Sequence, residues 1–223
     1  MEHFGISLEI PAENDKEVVE YEKKMQEREQ ERLLCAYKDS GVPAKFFNQS
    51  FETFIAETKE EKNVLQECMN FAAKPSNRIL LLTGKNGNGK SHLGSSILRK
   101  NIYDYKGGEY ITAPALCIKY DSAISFKASM NREEVIAHYS KVPVLIIDEC
   151  CKYFLNTELE KFLLVTIICN RYENNLPTVL ISNADKRTFI DFLGKAVYDR
   201  FTEVCTTLDF DWQSKRKSNR AVE

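Results

Sequence analysis

The sequence predicts an α/β protein built on a three-layer parallel sheet, with a charged helix ahead of it. Three observations carry this expectation. Short apolar runs, RILLLTG (78–84), VPVLIID (142–148) and PTVLISN (177–183), alternate with segments of helical periodicity. Strands covered on both faces read as such uninterrupted runs. A glycine-rich turn, GKNGNGKS (84–91), joins the first run to a helix, and residues 14–39 are polar and dense in charge.

Taken in order, NDKEVVEYEKKMQEREQERLLCAYKD (14–39) opens with Asn14 and Glu17 spaced as a capping box and stops at Ser40-Gly41. Its apolar residues, Val18, Tyr21, Met25, Leu33, Leu34 and Tyr37, leave most of the surface polar, so the helix either projects alone or pairs with another chain. Residues 1–40 are therefore set apart as an N-terminal helical extension for a partner, and 41–223 as the core. VPAKFFNQSFETFIA follows as an aromatic-rich loop. A helix begins near Thr58, with Val64, Leu65, Cys68, Met69 and Ala72 on one face, and ends at Pro75 and Asn77. The helix after the glycine-rich turn runs from Gly89 to about Tyr105, and EYIT is a short strand behind Gly107-Gly108. Helices near 115–127 and 132–140 lead to VPVLIID. Further helices are expected at 157–174, 186–193 and 195–203, with CTTLDF as the last strand.

The chain has 223 residues, 43% hydrophobic and 29% charged, enough for one sizeable core. No apolar run is long enough for a membrane span, and MEHFGISLEI lacks the basic and apolar regions of a leader; a cytoplasmic protein is expected. A net charge of −2 leaves nucleic-acid contact to a local basic patch. Seven cysteines, none in a CxxC pair, read as free thiols, with Cys68, Cys117 and Cys169 expected in the core. Cys150 and Cys151 are adjacent, a spacing that seldom lets two side chains reach one metal.

Gly84, Lys85, Asn86, Gly87, Asn88, Gly89, Lys90 and Ser91 fit GxxxxGK[ST] at every fixed position, with a strand before and a helix after. Glycines let backbone N–H groups curl around a phosphate, and the helix N-terminus adds positive potential. Lys90 is expected on the β and γ phosphates of ATP, Ser91 on Mg²⁺, with His92 opening the helix beside them. In VLIIDE, Asp148 leaves the strand at its ligand-binding end and is expected to hold Mg²⁺ through water. Glu149 is placed either to polarise an attacking water or to cap the next helix. Asn183 ends the neighbouring strand within reach of the γ-phosphate, a residue type that also ends many strands for local reasons. Arg200 reads as an ion-pair partner of Asp199 or Glu203, or as a further cation for the triphosphate.

GKNGNGKSHL, VPVLIIDEC, NRYENNLPTVLISN, LGKAVYDRF and LDFDWQSKR together resemble AAA+ ATPases, and more narrowly the DnaC-type helicase loaders and their IstB-type relatives. The resemblance covers about Gly41 to Arg216. It implies an ATPase in which Lys90, Ser91, Asp148 and Glu149 act on ATP and Mg²⁺, Asn183 is the sensor, and Arg200 is an arginine finger reaching a neighbouring subunit. Self-association through the ATP interface follows from such a finger. The resemblance also implies a helical insertion that touches single-stranded DNA; here ALCIKYDSAISFKASMNREE brings Lys119, Tyr120, Phe126, Lys127 and Arg132 together, cations mixed with aromatics. The short stretch beyond Trp212 leaves no room for a full helical lid. The function implied is a loader for a replicative hexameric DNA helicase, acting in replication initiation; the alternative is an IstB-type transposition helper on duplex DNA.

Overall fold

The computed structural model describes residues 16–75, 79–104, 106–125, 128–151, 157–194, 197 and 203–215. Two compact units part between Ala36 and Tyr37. The first contains most of α1, Lys16–Asp39, whose polar surface carries Lys24–Glu20 and Arg32–Glu29 ion pairs at 2.7 and 2.6 Å. Tyr21 and Met25 are exposed on it. The expected cap Asn14 lies outside the described residues.

In the second unit, five strands form one parallel sheet in the order β2-β3-β4-β1-β5. They are β1 Ile79–Gly84, β2 Glu109–Thr112, β3 Leu145–Cys150, β4 Thr178–Ser182 and β5 Cys205–Phe210. The uninterrupted apolar character of β1 has a direct cause. Leu80 and Leu82 join one core cluster and Ile79 and Leu81 the other, so both faces of the strand are dry. The first cluster lies under α2, Lys59–Ala73, and α3, Lys90–Tyr103, and takes in Tyr37 from the last turn of α1. The second lies under α4, Ala113–Ser122, α5, Arg132–Lys141, α6, Thr157–Glu173, and α7, Lys186–Leu193.

Local chemistry explains most boundaries. Thr58 and Glu61 form a complete capping box for α2, and Asn131 and Glu134 another for α5. Asp185 caps α7 through Thr188 N–H. Thr112 caps α4 and Pro114 sits in its first turn, so that helix starts earlier than expected and ends at Ser122. Met69, expected on the buried face of α2, is 41% exposed; Phe71 is buried in its place beside Val64, Cys68 and Ala72. Cys117 and Cys169 are half-buried rather than enclosed, while Cys68 is enclosed. Of the helix expected at 195–203, only residues 197 and 203 are among those described.

β3 begins three residues later than expected and runs two further, to Cys150. Arg171 accounts for the late start. Fully buried, it donates to the carbonyls of Tyr139 (2.9 Å), Val142 (2.7 Å), Pro143 (3.4 Å) and Pro177 (2.7 Å), and to Thr178 Oγ1 (2.8 Å). The carbonyls of 142 and 143 thus serve the guanidinium rather than a ladder. Burial lowers the Arg171 pKa to about 10, still a cation at neutral pH. One side chain of the NRYE segment therefore joins the end of α6 to the entrances of β3 and β4.

Candidate functional site

The C-terminal ends of β1, β3 and β4 face a cleft of about 420 Å³. The sequence-predicted residues Asn86, Gly87, Asn88, Gly89, Lys90, Ser91, His92, Asp148, Glu149 and Asn183 all line it. The turn after β1 owes its shape to glycines. Gly84, Gly87 and Gly89 adopt φ of 122°, 86° and 96°. A Cβ at Gly84 would fall 2.5 Å from the Phe210 carbonyl oxygen, and one at Gly89 would fall 2.6 Å from the Phe54 ring. From the first turn of α3, Lys90 folds back across the loop, Nζ donating to the carbonyls of Gly84 (2.6 Å) and Lys85 (2.7 Å), and is only 4% exposed. A buried ammonium over a helix N-terminus makes the cradle strongly attractive to an anion.

Asp148, in β3, is the polar centre of the site. Its Oδ2 accepts from Ser91 Oγ at 2.6 Å and from the Tyr110 hydroxyl, and its Oδ1 accepts from Glu149 N–H at 2.6 Å. Burial, reinforced by the Asp148 charge, pushes the Tyr110 pKa far up, so the phenol is a donor at every physiological pH. Ser91 and Asp148 present hard oxygen donors, the set that suits Mg²⁺. Glu149 is aimed by backbone geometry. It and Cys151 both hold φ of 60°, and the β3–β4 register shifts between Ile147 and Cys150. Ser182 Oγ donates to the Cys150 carbonyl at 2.8 Å, and Cys151 N–H donates to Glu160 Oε1 at 2.7 Å, holding the bulge from both sides. Burial raises the Glu160 pKa against the opposing Cys151 N–H bond.

The remaining wall was not foreseen as part of the site. Lys45, Phe46, Gln49, Thr53, Phe54 and Ile55, from the aromatic loop, cover the cleft together with Lys215. His92 secures this wall. Its Nε2–H donates to the Ser50 carbonyl at 2.8 Å, Thr53 Oγ1 lies 3.1 Å away, and Phe54 meets the ring edge-on at 5.4 Å. Burial lowers the His92 pKa, keeping it neutral. Phe46 and Phe54 were legible as apolar, but nothing local says that they line a cleft with a loop some way further along the chain.

Among the described DNA candidates, Arg132 lies against Tyr120, while Lys119 turns to Tyr139. Lys119 donates to Tyr139 OH at 3.0 Å and lies 5.1 Å from that ring's centroid. Arg132 pairs with Asp121 at 3.2 Å and lies 4.7 Å over Tyr120, which meets the half-exposed Phe162 edge-on at 6.3 Å. Adjacent positions on a helix point about 100° apart, which separates Lys119 from Tyr120. Phe126, Lys127 and Arg200 lie outside the described residues.

A glycine-shaped anion cradle closed by a buried lysine, with a serine and an aspartate at its mouth on a parallel sheet, defines a phosphate-loop nucleotide-binding protein of the α/β class. More narrowly, the chain belongs to the family described as IstB-like ATP binding protein, which matches residues 14–222. It is similar to the replicative helicase loader DnaC of Buchnera aphidicola subsp. Schizaphis graminum (strain Sg), 28% identical over 187 residues, 82% of this chain and 76% of that one. Its fold resembles the crystal structure of the DnaC helicase loader, with TM-score 0.64 and 19% identity over 75% of this chain and 99% of that one. The crystal structure of DnaI is comparable, with TM-score 0.63 and 18% identity over 78% and 94% of the two chains. The parallel α/β sheet expected from the sequence is the one these structures share.

Proposed function

We propose that this protein is an ATP-hydrolysing loader of a replicative hexameric DNA helicase, acting in the cytoplasm at replication initiation. The likeness to a protein named as a replicative helicase loader carries the reading, and the cleft supplies its chemistry. ATP lies with its phosphates in the cradle of residues 84–91, with Lys90 on the β and γ phosphates. Ser91 and Asp148 hold Mg²⁺, which when bound supplies charge neutralisation on the phosphate oxygens. Tyr110 keeps the Asp148 carboxylate turned toward Ser91. Glu149 takes the proton of the attacking water, and Asn183 orients that water or the γ-phosphate. Arg200 of a neighbouring copy completes the site, so hydrolysis waits for self-association. Single-stranded DNA is placed on the α4–α5 region, where Tyr120 offers an aromatic face and Lys119, Phe126, Lys127 and Arg132 the remaining contacts. ATP favours the assembled, DNA-engaged state; hydrolysis releases it.

The transposition-helper reading shares the family description, but the curated relative's name favours the loader. Tagged protein recovered from its native cell with a slowly hydrolysed ATP analogue is expected to bring down the replicative helicase and to lose it with ADP. Recovery of a transposase instead, with preference for duplex DNA, would replace the proposal.

A further inference from the structure

We infer that the segment Phe210–Lys215 is a strap that sets the conformation of the phosphate loop, with Asn88, Trp212 and Lys215 as positioning residues for nucleotide binding. The inference rests on the reading that the cleft takes ATP. The phosphate-loop fingerprint leaves position 88 free, yet Asn88 is only 1% exposed and is welded to the end of the sheet. Its Nδ2 donates to the carbonyls of Phe210 (2.7 Å) and Trp212, and Trp212 Nε1 donates back to the Asn88 carbonyl at 3.0 Å. Lys215 N–H donates to the Gly87 carbonyl at 2.9 Å. Asn88 Oδ1 is buried with no hydrogen-bond partner among the described residues, so the side chain is held there by its amide donors alone.

The strap then continues to the opposite wall. Lys215 Nζ pairs with the buried Glu61 at 2.8 Å, donates to the Ile55 carbonyl, and lies 5.1 Å from the Phe54 ring centroid. Phe54 in turn packs against Gly89. Gly87 and Gly89 flank Asn88 in left-handed conformations, and such glycines leave a turn many accessible states. The strap selects one of them, with the loop carbonyls of 87 and 88 turned outward to Lys215 and Trp212. That arrangement leaves the neighbouring N–H groups for the phosphates.

Trp212 is the single tryptophan of the chain, and its indole N–H is bonded to the loop itself. In the full-length protein, tryptophan emission is therefore expected to change on addition of ATP, and not to change in Lys90→Ala. By calorimetry, Trp212→Phe keeps the ring and removes only the N–H; it should bind ATP about fivefold to tenfold more weakly, the worth of one net hydrogen bond. Asn88→Ala and Lys215→Met are expected to weaken binding in the same direction, while Trp212→Phe lowers the unliganded thermal midpoint by only about 2–4 °C and shrinks the ATP-induced rise. Wild-type affinity in Trp212→Phe, or silent emission in wild-type protein that binds ATP by calorimetry, overturns the strap. Wild-type protein that binds neither ATP nor ADP overturns the nucleotide assignment, and the strap with it.

Discussion

Glu149 and Tyr110 show what single residues contribute to this cleft. A glutamate with φ of 60° is held against its conformational preference, and the two hydrogen bonds at Cys150 and Cys151 supply the restraint. If Glu149 is the base, Glu149→Gln keeps the shape and loses the proton acceptor. ATP binding is expected unchanged, with single-turnover hydrolysis slower by about 10²- to 10⁴-fold; wild-type turnover would remove Glu149 from that role. Tyr110→Phe takes one of the donors from Asp148. Turnover is expected to fall about tenfold, the scale of a hydrogen bond to a charged acceptor. The Mg²⁺ concentration for half-maximal activity should rise, while Mg²⁺-free ATP affinity stays constant. An unchanged Mg²⁺ dependence would leave Tyr110 a core residue only. At this scale the sequence showed Lys90, Ser91, Asp148 and Glu149 because their spacing is local and their chemistry is specific. Tyr110, Glu160 and Lys215 had no such signal. Tyr110 reaches the site from a neighbouring strand, Glu160 from α6, and Lys215 from beyond β5 through its N–H bond to Gly87, and only the fold brings them there.

At the level of elements, apolar runs marked β1, β3 and β4, and β2 and β5 took the expected bounds, but a run alone does not fix where its strand begins. β3 illustrates the reason. VPVLIID is apolar throughout, yet Val142 and Pro143 turn their carbonyls to Arg171, and the strand runs on through an acidic pair that periodicity would end. Similarly, Met69 and Phe71 are both apolar, and only the direction of α2 against α3 decides which is buried. Arg171 is thus the keystone of the α5–β3 and α6–β4 junctions. Arg171→Met leaves several buried acceptors without a donor. It is expected to destabilise the fold by about 3–5 kcal/mol and lower Tm on the order of 10 °C, measured by calorimetry or circular dichroism. Arg171→Lys should rescue little, since one ammonium cannot serve carbonyls spread over two junctions. A loss of less than ~1 kcal/mol in both would mean that water satisfies those groups equally well.

Taken as a whole molecule, the subunit offers a cleft whose cradle, acidic pair and Asn183 come from one chain, while the proposed guanidinium comes from another. The charge balance agrees with a device that acts by assembly rather than by a uniformly basic surface: a net charge of −2 gives no general attraction for DNA. If Arg200 acts in trans, two defective proteins complement each other. Lys90→Ala lacks its own nucleotide grip but still presents Arg200; Arg200→Ala binds ATP but presents no finger. Each alone is expected to be nearly inactive, Arg200→Ala by a factor of about 10³ in stimulated turnover. Mixed in equal amounts with single-stranded DNA and helicase, they should recover a substantial part of wild-type activity, because interfaces joining an intact cradle to an intact finger re-form. Specific activity of the wild type should also rise with protein concentration, as expected when the active unit is the interface between subunits. Activity that is independent of concentration, together with no recovery on mixing, would place the whole reaction within one subunit and return Arg200 to an ordinary ion pair.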